Sequence, residues 1–298
     1  MDKDQSAFLP ILFALISVVM TALVLPYTFG VAFLKALRRR SGRSFFWSFT
    51  ALLSTCLFLM GAKPLALAFF SLVILMGVFS ELEEMGLSFS TCTFLTVLIN
   101  GLISAGGFAL WVYFTGPNWQ SVILSSLETI LRPVNEMNPH LQLSYSGLML
   151  QLPSLLAILW IVGIYVAVLL ESRLRNNIER DSWPPLRPQL SNFRLPDVWV
   201  WVFIASLLGS FGSFDMPIFR GVAVNVMNLC VVLFFFQGIA VVGRFFENIR
   251  MSTFWQSVFM FVLIVQLFLF VSLLGIMDYW LDFRSRIAKR AESFNREA

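Results

Sequence analysis

Three side-chain amides lie inside a segment of the chain that is otherwise apolar. The segment at 221–242 reads GVAVNVMNLCVVLFFFQGIAVV, and its amides are Asn225, Asn228 and Gln237. An amide in hydrocarbon costs a few kcal/mol unless it finds a hydrogen-bonding partner. These side chains therefore either bind neighbouring helices or line a site for a bound solute, and the sequence leaves both alternatives open.

Helical geometry divides the amides into two groups. Each residue of an α-helix advances by about 100°, so Asn225 and Asn228 share a face, while Gln237 points to nearly the opposite side. Asn100, in the apolar stretch LTVLINGLISAGGFALW, is a fourth amide of the same kind. Asn100, Asn225, Asn228 and Gln237 are therefore candidates for binding a solute, and the alternative is hydrogen bonding between helices.

The composition is that of an integral membrane protein. Of 298 residues, 58% are hydrophobic and 13% are charged, whereas roughly a quarter of the residues in a soluble domain are charged. We predict an all-α, polytopic transmembrane helical bundle in a lipid bilayer, with residues 1–298 forming a single transmembrane domain. Apolar runs of about 20 residues can span a bilayer as helices, and we expect about eight, at 8–34, 45–61, 64–80, 87–114, 148–170, 197–214, 220–242 and 254–277.

Charged stretches between these segments predict the orientation. KALRRRSGR at 35–43 has five basic residues, and 171–197 has five more. The positive-inside rule places both loops in the cytoplasm, together with an acidic turn, ELEEMG at 81–86, that we expect to be solvated. We therefore predict a multi-pass protein of the bacterial cytoplasmic (inner) membrane.

Two amphipathic segments are also expected. Residues 117–147 are then an outer loop whose amphipathic helix ends before Pro133. The stretch 278–298 forms a basic, amphipathic tail that suits a membrane surface.

No motif indicates catalysis. The sequence contains no GxxxxGK phosphate loop, no GxSxG elbow and no HExxH helix. Its single histidine, His140, has no cysteine or acidic cluster beside it, and none of the three cysteines forms a CxxC pair. We therefore expect no enzymatic activity, catalytic residue, metal site or cofactor. The basic clusters are short and flanked by apolar segments, so we expect no nucleic-acid partner.

Three stretches of the C-terminal half together resemble the YybS-like family of bacterial membrane proteins. They are NFRLPDVWVWVF at 192–203, NVMNLCVVLFFFQGIAVV at 225–242 and LLGIMDYWLDFRSR at 273–286. The family pattern is an R-L-P entry to a span, an Asn and a Q-G in the next span, and a final L-G-x-x-D followed by D-F-R. Besides the amides, the matching positions are Arg194, Pro196, Gly238, Gly275, Asp278, Asp282 and Arg284.

That family is in turn similar to the S components of energy-coupling-factor (ECF) transporters. The resemblance implies a small-solute-binding membrane subunit whose partners are a membrane coupling protein and ATPases. The alternative is a non-enzymatic structural or assembly membrane protein, in which the amides only join helices.

Overall fold

A computed structural model describes residues 11–19, 27–137, 144–175, 193–212, 217–249 and 251–287. Within these residues the chain forms helices and no strand, which confirms the all-α fold. The helices are α1 (11–19), α2 (Tyr27–Ser41), α3 (Arg43–Leu59), α4 (Lys63–Glu84), α5 (Phe89–Thr115), α6 (Trp119–Met137), α7 (Tyr145–Arg175), α8 (Val198–Phe211), α9 (Pro217–Asn248), α10 (Thr253–Gln266) and α11 (Phe268–Leu281).

Several of these helices are suited to a bilayer. Among the described residues, four helical stretches are long and apolar enough to cross a membrane: Lys63–Glu84, Phe89–Met137 (α5 and α6 with the turn between them), Tyr145–Val168 and Ile218–Asn248. Three shorter apolar helices are α3, α8 and α11. A multi-pass membrane protein is therefore supported, but the predicted count of eight segments is not confirmed.

Two predicted segments differ from the helices that form. The segment 8–34 contains α1 and the start of α2, and the residues between them, 20–26, lie outside the described residues. The segment 254–277 is divided into α10 and α11, because Leu267 leaves helical geometry with φ −116° and ψ 27°.

The predicted amphipathic helix is present but longer than expected. It is α6, which continues through Pro133 to Met137. A proline removes only one main-chain hydrogen bond and can be accommodated with a bend, so the expected helix end at this residue is wrong.

The basic stretch at 35–43 is largely helical. It extends α2 to Ser41, and only Gly42, with φ 80°, separates α2 from α3. Lysine and arginine are good helix formers, and glycine tolerates the positive φ of the corner. In the second basic loop and in the tail, 176–192 and 288–298 lie outside the described residues.

The chain divides into two compact units. Unit 1 comprises Met1–Ser125 and Leu156–Pro188, and unit 2 comprises Ser126–Leu155 and Gln189–Ala298. The core of unit 1 is a continuous cluster of buried side chains that includes Phe46, Phe69 and Ile164. Unit 2 has two smaller clusters, one of which includes Phe234 and the other Val271. The single transmembrane domain remains a prediction.

Candidate functional site

The positions that carry the family resemblance come together in unit 2. Gln237 on α9 donates from Nε2 to Oδ2 of Asp278 on α11, at 3.3 Å. Its Oε1 accepts the main-chain N–H of Leu195, before α8, at 3.1 Å. One amide therefore joins the entry to α8, the middle of α9 and the end of α11.

Arg284 completes this arrangement. Its Nε and Nη2 donate to Oδ2 of Asp278 at 3.0 and 2.8 Å, and its Nη1 donates to the carbonyl oxygen of Phe193 at 2.7 Å. The Asp278 side chain is 2% exposed and that of Arg284 is 15% exposed. We call Phe193, Leu195, Gln237, Asp278 and Arg284 the motif node.

Two further motif positions direct the chain into this node. Asp282 has φ 43°, ψ 55° at the end of α11, and its N–H donates to the carbonyl oxygen of Asp278 at 3.0 Å. A left-handed residue ends a helix and reverses the chain locally, and here it lets Arg284 return to Asp278. Pro196 accepts the N–H of Trp199 at 3.0 Å in the first turn of α8.

Arg194 contributes differently. Its Nη1 lies 4.0 Å from Oδ1 of Asp282, and both side chains are about half exposed, at 54% and 50%. Ion pairs of this kind contribute little to stability.

The two motif glycines let α9 and α11 touch. A Cβ added to Gly238 would overlap the carbonyl oxygen of Val271, and one added to Gly275 would overlap that of Phe234. The Gly275 Cβ would also lie 2.8 Å from the main-chain nitrogen of Gly238. Phe234 of α9 faces Gly275 of α11, whereas the later Gly238 of α9 faces the earlier Val271 of α11, so the two helices are antiparallel. Only glycine fits where two backbones approach this closely.

The other amides of α9 contact the first part of α7, also within unit 2. Oδ1 of Asn225 accepts the N–H of Ser154 at 2.8 Å, and its Nδ2 donates to the carbonyl oxygens of Leu150 and Gly221, both at 2.8 Å. Nδ2 of Asn228 donates to Oε1 of Gln151 at 3.0 Å and to Oγ of Ser154 at 3.1 Å. Both asparagines therefore bind one neighbour, as their spacing predicts.

Asn225 binds both partners of one main-chain pair of α7. Ser154 N–H and Leu150 C=O are the partners that would bond to each other in an uninterrupted α-helix, and the Asn225 amide binds both. Pro153, inside α7, has no N–H and its ring crowds the preceding turn. The amide thus adds hydrogen bonds to α7 next to the position where Pro153 can make none, which the sequence pattern alone did not indicate.

Asn100 lies in unit 1 and is 1% exposed. Its Nδ2 donates to Oγ of Ser71 on α4 at 3.2 Å. Its Oδ1 has no hydrogen-bond partner among the residues that the structure describes. Among the described residues, Asn100 is the predicted amide whose buried oxygen has no hydrogen-bond partner. Solute binding by the four amides stays a prediction.

Sequence reasoning missed an ion-pair network at the ends of α2 and α4. Lys35 Nζ lies 3.0 Å from Glu83 Oε2, with side chains 1% and 0% exposed. Arg38 Nη2 lies 2.7 Å from Glu84 and 3.2 Å from Glu81. The prediction of a solvated acidic turn at 81–86 is therefore wrong for Glu83, because two basic helical turns cover it.

The network extends into α3. Arg43 Nε lies 3.1 Å from Oε1 of Glu81, and the indole N–H of Trp47 donates to the same oxygen at 3.2 Å. A basic run at 35–43 and an acidic run at 81–84, each at a helix end, are the sequence signal that could have predicted this pairing.

A protein family described as "Predicted membrane protein (DUF2232)" matches residues 5–279. The match includes most of the motif node, and the YybS-like resemblance is consistent with it. No curated protein and no solved structure shows a significant similarity to the chain, and a similarity to ECF S components is not shown. Since the match spans almost the whole chain, the protein belongs to this family of predicted membrane proteins.

Proposed function

We propose that the protein is a non-enzymatic structural or assembly component of the bacterial cytoplasmic membrane. The observation that carries the proposal is the pairing of Asn225 with Ser154 and Leu150. A side chain that completes another helix's main-chain hydrogen bonds is occupied by the fold and has little capacity left for a solute.

The other unit 2 amides support the same function. Gln237 uses its oxygen on Leu195 and its nitrogen on Asp278, and Asn228 donates to Gln151 and Ser154. Between apolar helices in lipid, such hydrogen bonds stabilise association by about 1 kcal/mol each. In this function the amides hold unit 2 in one conformation. The surface of unit 2, rather than the amides, then makes the contacts that a structural or assembly role requires.

The location follows from charge. The stretch 35–43 has five basic residues, and 81–84, which pairs with several of them, has three glutamates, so the α2–α3 corner is positive overall. The positive-inside rule favours a cytoplasmic position for that corner.

The variant Asn225→Leu tests the proposal, with Gln120→Leu at an exposed position of α6 as its control. If Asn225 joins helices, the variant lowers the unfolding temperature in mild detergent and leaves the co-purifying small molecules unchanged. If it binds a solute, the variant keeps its unfolding temperature and loses one stoichiometric molecule, as seen by mass spectrometry. That second outcome would exclude the structural function.

A second candidate is a small-solute-binding, S-component-like transporter subunit. The observation that favours it is the buried Oδ1 of Asn100, which has no partner in the described part of the chain. It predicts that purification from native membranes recovers a membrane coupling protein with ATPases, and a molecule that Asn100→Leu no longer retains. Recovery of lipids alone, or of an unrelated assembly, would contradict it.

A further inference from the structure

Unit 1 contains buried polar atoms whose hydrogen bonds the described residues do not satisfy. They include Oγ of Ser80 on α4, Oγ1 of Thr96 and Oδ1 of Asn100 on α5, and Nε1 of Trp160 on α7. All four residues are buried, Trp160 being the most exposed at 5%. We call these four residues the polar row.

Two members of the row share one face of α5, and a third contacts this helix. Thr96 and Asn100 are four residues apart, so they share a face and are separated by about 6 Å along the helix axis. Gly101, next to Asn100, faces the Trp160 ring, since a Cβ built on it would lie 4.0 Å from a ring carbon.

Ser80 extends the row towards the ion-pair network. Asn100 contacts Ser71, and the rings of Phe89 and Phe79 lie 6.1 Å apart, so α4 and α5 are antiparallel. Ser80 therefore lies level with the first turns of α5. It is also three residues from Glu83, whose buried carboxylate binds Lys35.

The energetics require a ligand at these atoms. A buried polar atom without a partner costs about 1–3 kcal/mol, and folded proteins satisfy nearly all such atoms with protein groups or ordered water. The ligand must accept a hydrogen bond from the Trp160 N–H and donate one to the Asn100 oxygen, while the hydroxyls can do either.

Size and charge identify the ligand class. Thr96 and Asn100 lie about one helical turn apart on the same face, so one or two water molecules with hydrogen bonds of about 2.8 Å each can connect their polar atoms. The charges nearest the row, on Lys35 and Glu83, already pair with each other, so a neutral ligand is favoured. Internal water has this size and charge, and it commonly makes about three such bonds.

We infer that the polar row binds internal water molecules, which bridge Ser80, Thr96, Asn100 and Trp160 from the ion-pair network into the middle of unit 1. This inference does not rest on the structural function, and it assigns water to the Asn100 oxygen that the second candidate function assigns to a solute. Unit 1, whose core is mostly apolar, then contains internal water that begins beside Glu83.

Radiolytic hydroxyl labelling of the full-length protein in mild detergent tests the inference, because internal water generates hydroxyl radicals next to buried side chains. We expect Trp160 to be oxidised several-fold faster than buried Phe234 of unit 2, after correction for intrinsic reactivity. The double variant Thr96→Val, Asn100→Leu removes two of the water's four partners while nearly preserving side-chain volume, and it should reduce Trp160 labelling several-fold. Equal rates for Trp160 and Phe234, or unchanged labelling in a folded double variant, would overturn the inference.

A second measurement requires no variant. Hydrogen exchange of the Trp160 indole N–H in deuterated water, followed by NMR, should be fast for a site in contact with water and slow for a dry one. Mass spectrometry of the same sample separates the alternatives. A stoichiometric molecule that protects Trp160 from labelling overturns the water assignment and supports solute binding. If Trp160 is oxidised in a sample that contains no stoichiometric solute, the result supports water. This conclusion does not depend on the outcome for the Asn225→Leu variant.

Discussion

Unit 1 joins its helices with charged side chains at their ends, whereas unit 2 joins its helices with amides and glycines along their length. In unit 1, Lys35 and Glu83 are buried and 3.0 Å apart. In unit 2, Gln237 and Asn225 bind main-chain groups, and Gly238 and Gly275 let two backbones touch. Unit 2 also has a buried ion pair between Asp278 and Arg284. There, however, Arg284 also donates to a main-chain carbonyl oxygen, and Asp278 also accepts from the Gln237 amide.

The difference shows how position selects the chemistry. Long charged side chains can reach partners from helix ends, where desolvation is incomplete until the ends pack together. An amide carries no net charge, so it costs less to bury in the middle of an apolar helix. We therefore expect unit 1 to be sensitive to loss of charge and unit 2 to changes of shape.

The largest effect is expected in unit 1. Glu83→Gln leaves Lys35 without the carboxylate that lies 3.0 Å away. Breaking a buried ion pair on one side costs about 3–5 kcal/mol, and we expect that loss in the free energy of unfolding measured in detergent. The control is Glu136→Gln, since the Arg132–Glu136 pair is exposed on both sides, at 72% and 65%. Equal effects of the two variants would remove the contrast between the units.

The second effect belongs to unit 2. Gly275→Ala places a methyl group against the carbonyl oxygen of Phe234, which the helix holds fixed. Overpacking costs about 1–3 kcal/mol, and we expect a lowered unfolding temperature. Gly106→Ala on α5 is the matched control, because nothing lies within 4 Å of its added Cβ. There the higher helix propensity of alanine should leave stability unchanged or raise it. A harmless Gly275→Ala would mean that α9 and α11 do not touch.

A smaller effect is expected at Gln237. Gln237→Leu removes its bonds to Leu195 and Asp278 but leaves Arg284 on Asp278. The partly buried N–H of Leu195 then loses its acceptor. Leaving a buried N–H unsatisfied costs about 1–3 kcal/mol, and we expect the lower end because burial is partial and the new leucine still packs. Gln237→Glu sharpens the test, since its carboxylate keeps an acceptor for Leu195 but repels Asp278. It should therefore be the less stable of the two when both are unfolded thermally.

The smallest effect is expected at Arg194. Its contact with Asp282 is 4.0 Å long and half exposed, so Arg194→Ala should change the free energy of unfolding by at most about 0.5 kcal/mol. A loss comparable with that of Gly275→Ala would show that this motif position does more than contact Asp282.

Much of this organisation could be predicted from the sequence. Hydropathy indicated the all-α membrane fold, and the 100° advance per residue separated Asn225 and Asn228 from Gln237. The resemblance also selected positions, from Arg194 to Arg284, that lie close together in unit 2. These signals succeed because they depend on local periodicity or on an ordered motif.

The remainder depends on partners distant along the chain. Glu83 lies in an acidic run typical of a solvated turn, and only the packing of α2 beside α4 buries it. The contacts of Asn225 depend on the turn of α7 around Pro153, 72 positions earlier in the sequence. No pattern within one helix reports which neighbour it will face.

The contact between Gly238 and Gly275 has a consequence for how the protein assembles in lipid. Each glycine presents a Cα hydrogen to a carbonyl oxygen of the opposite helix, and reciprocal Cα–H···O contacts are weakly attractive. Such attraction does not depend on water, so it acts where the hydrophobic effect between helices is absent. Once both helices are inserted, α9 and α11 can therefore recognise each other directly from lipid, and this pair provides a nucleus on which the rest of unit 2 can pack.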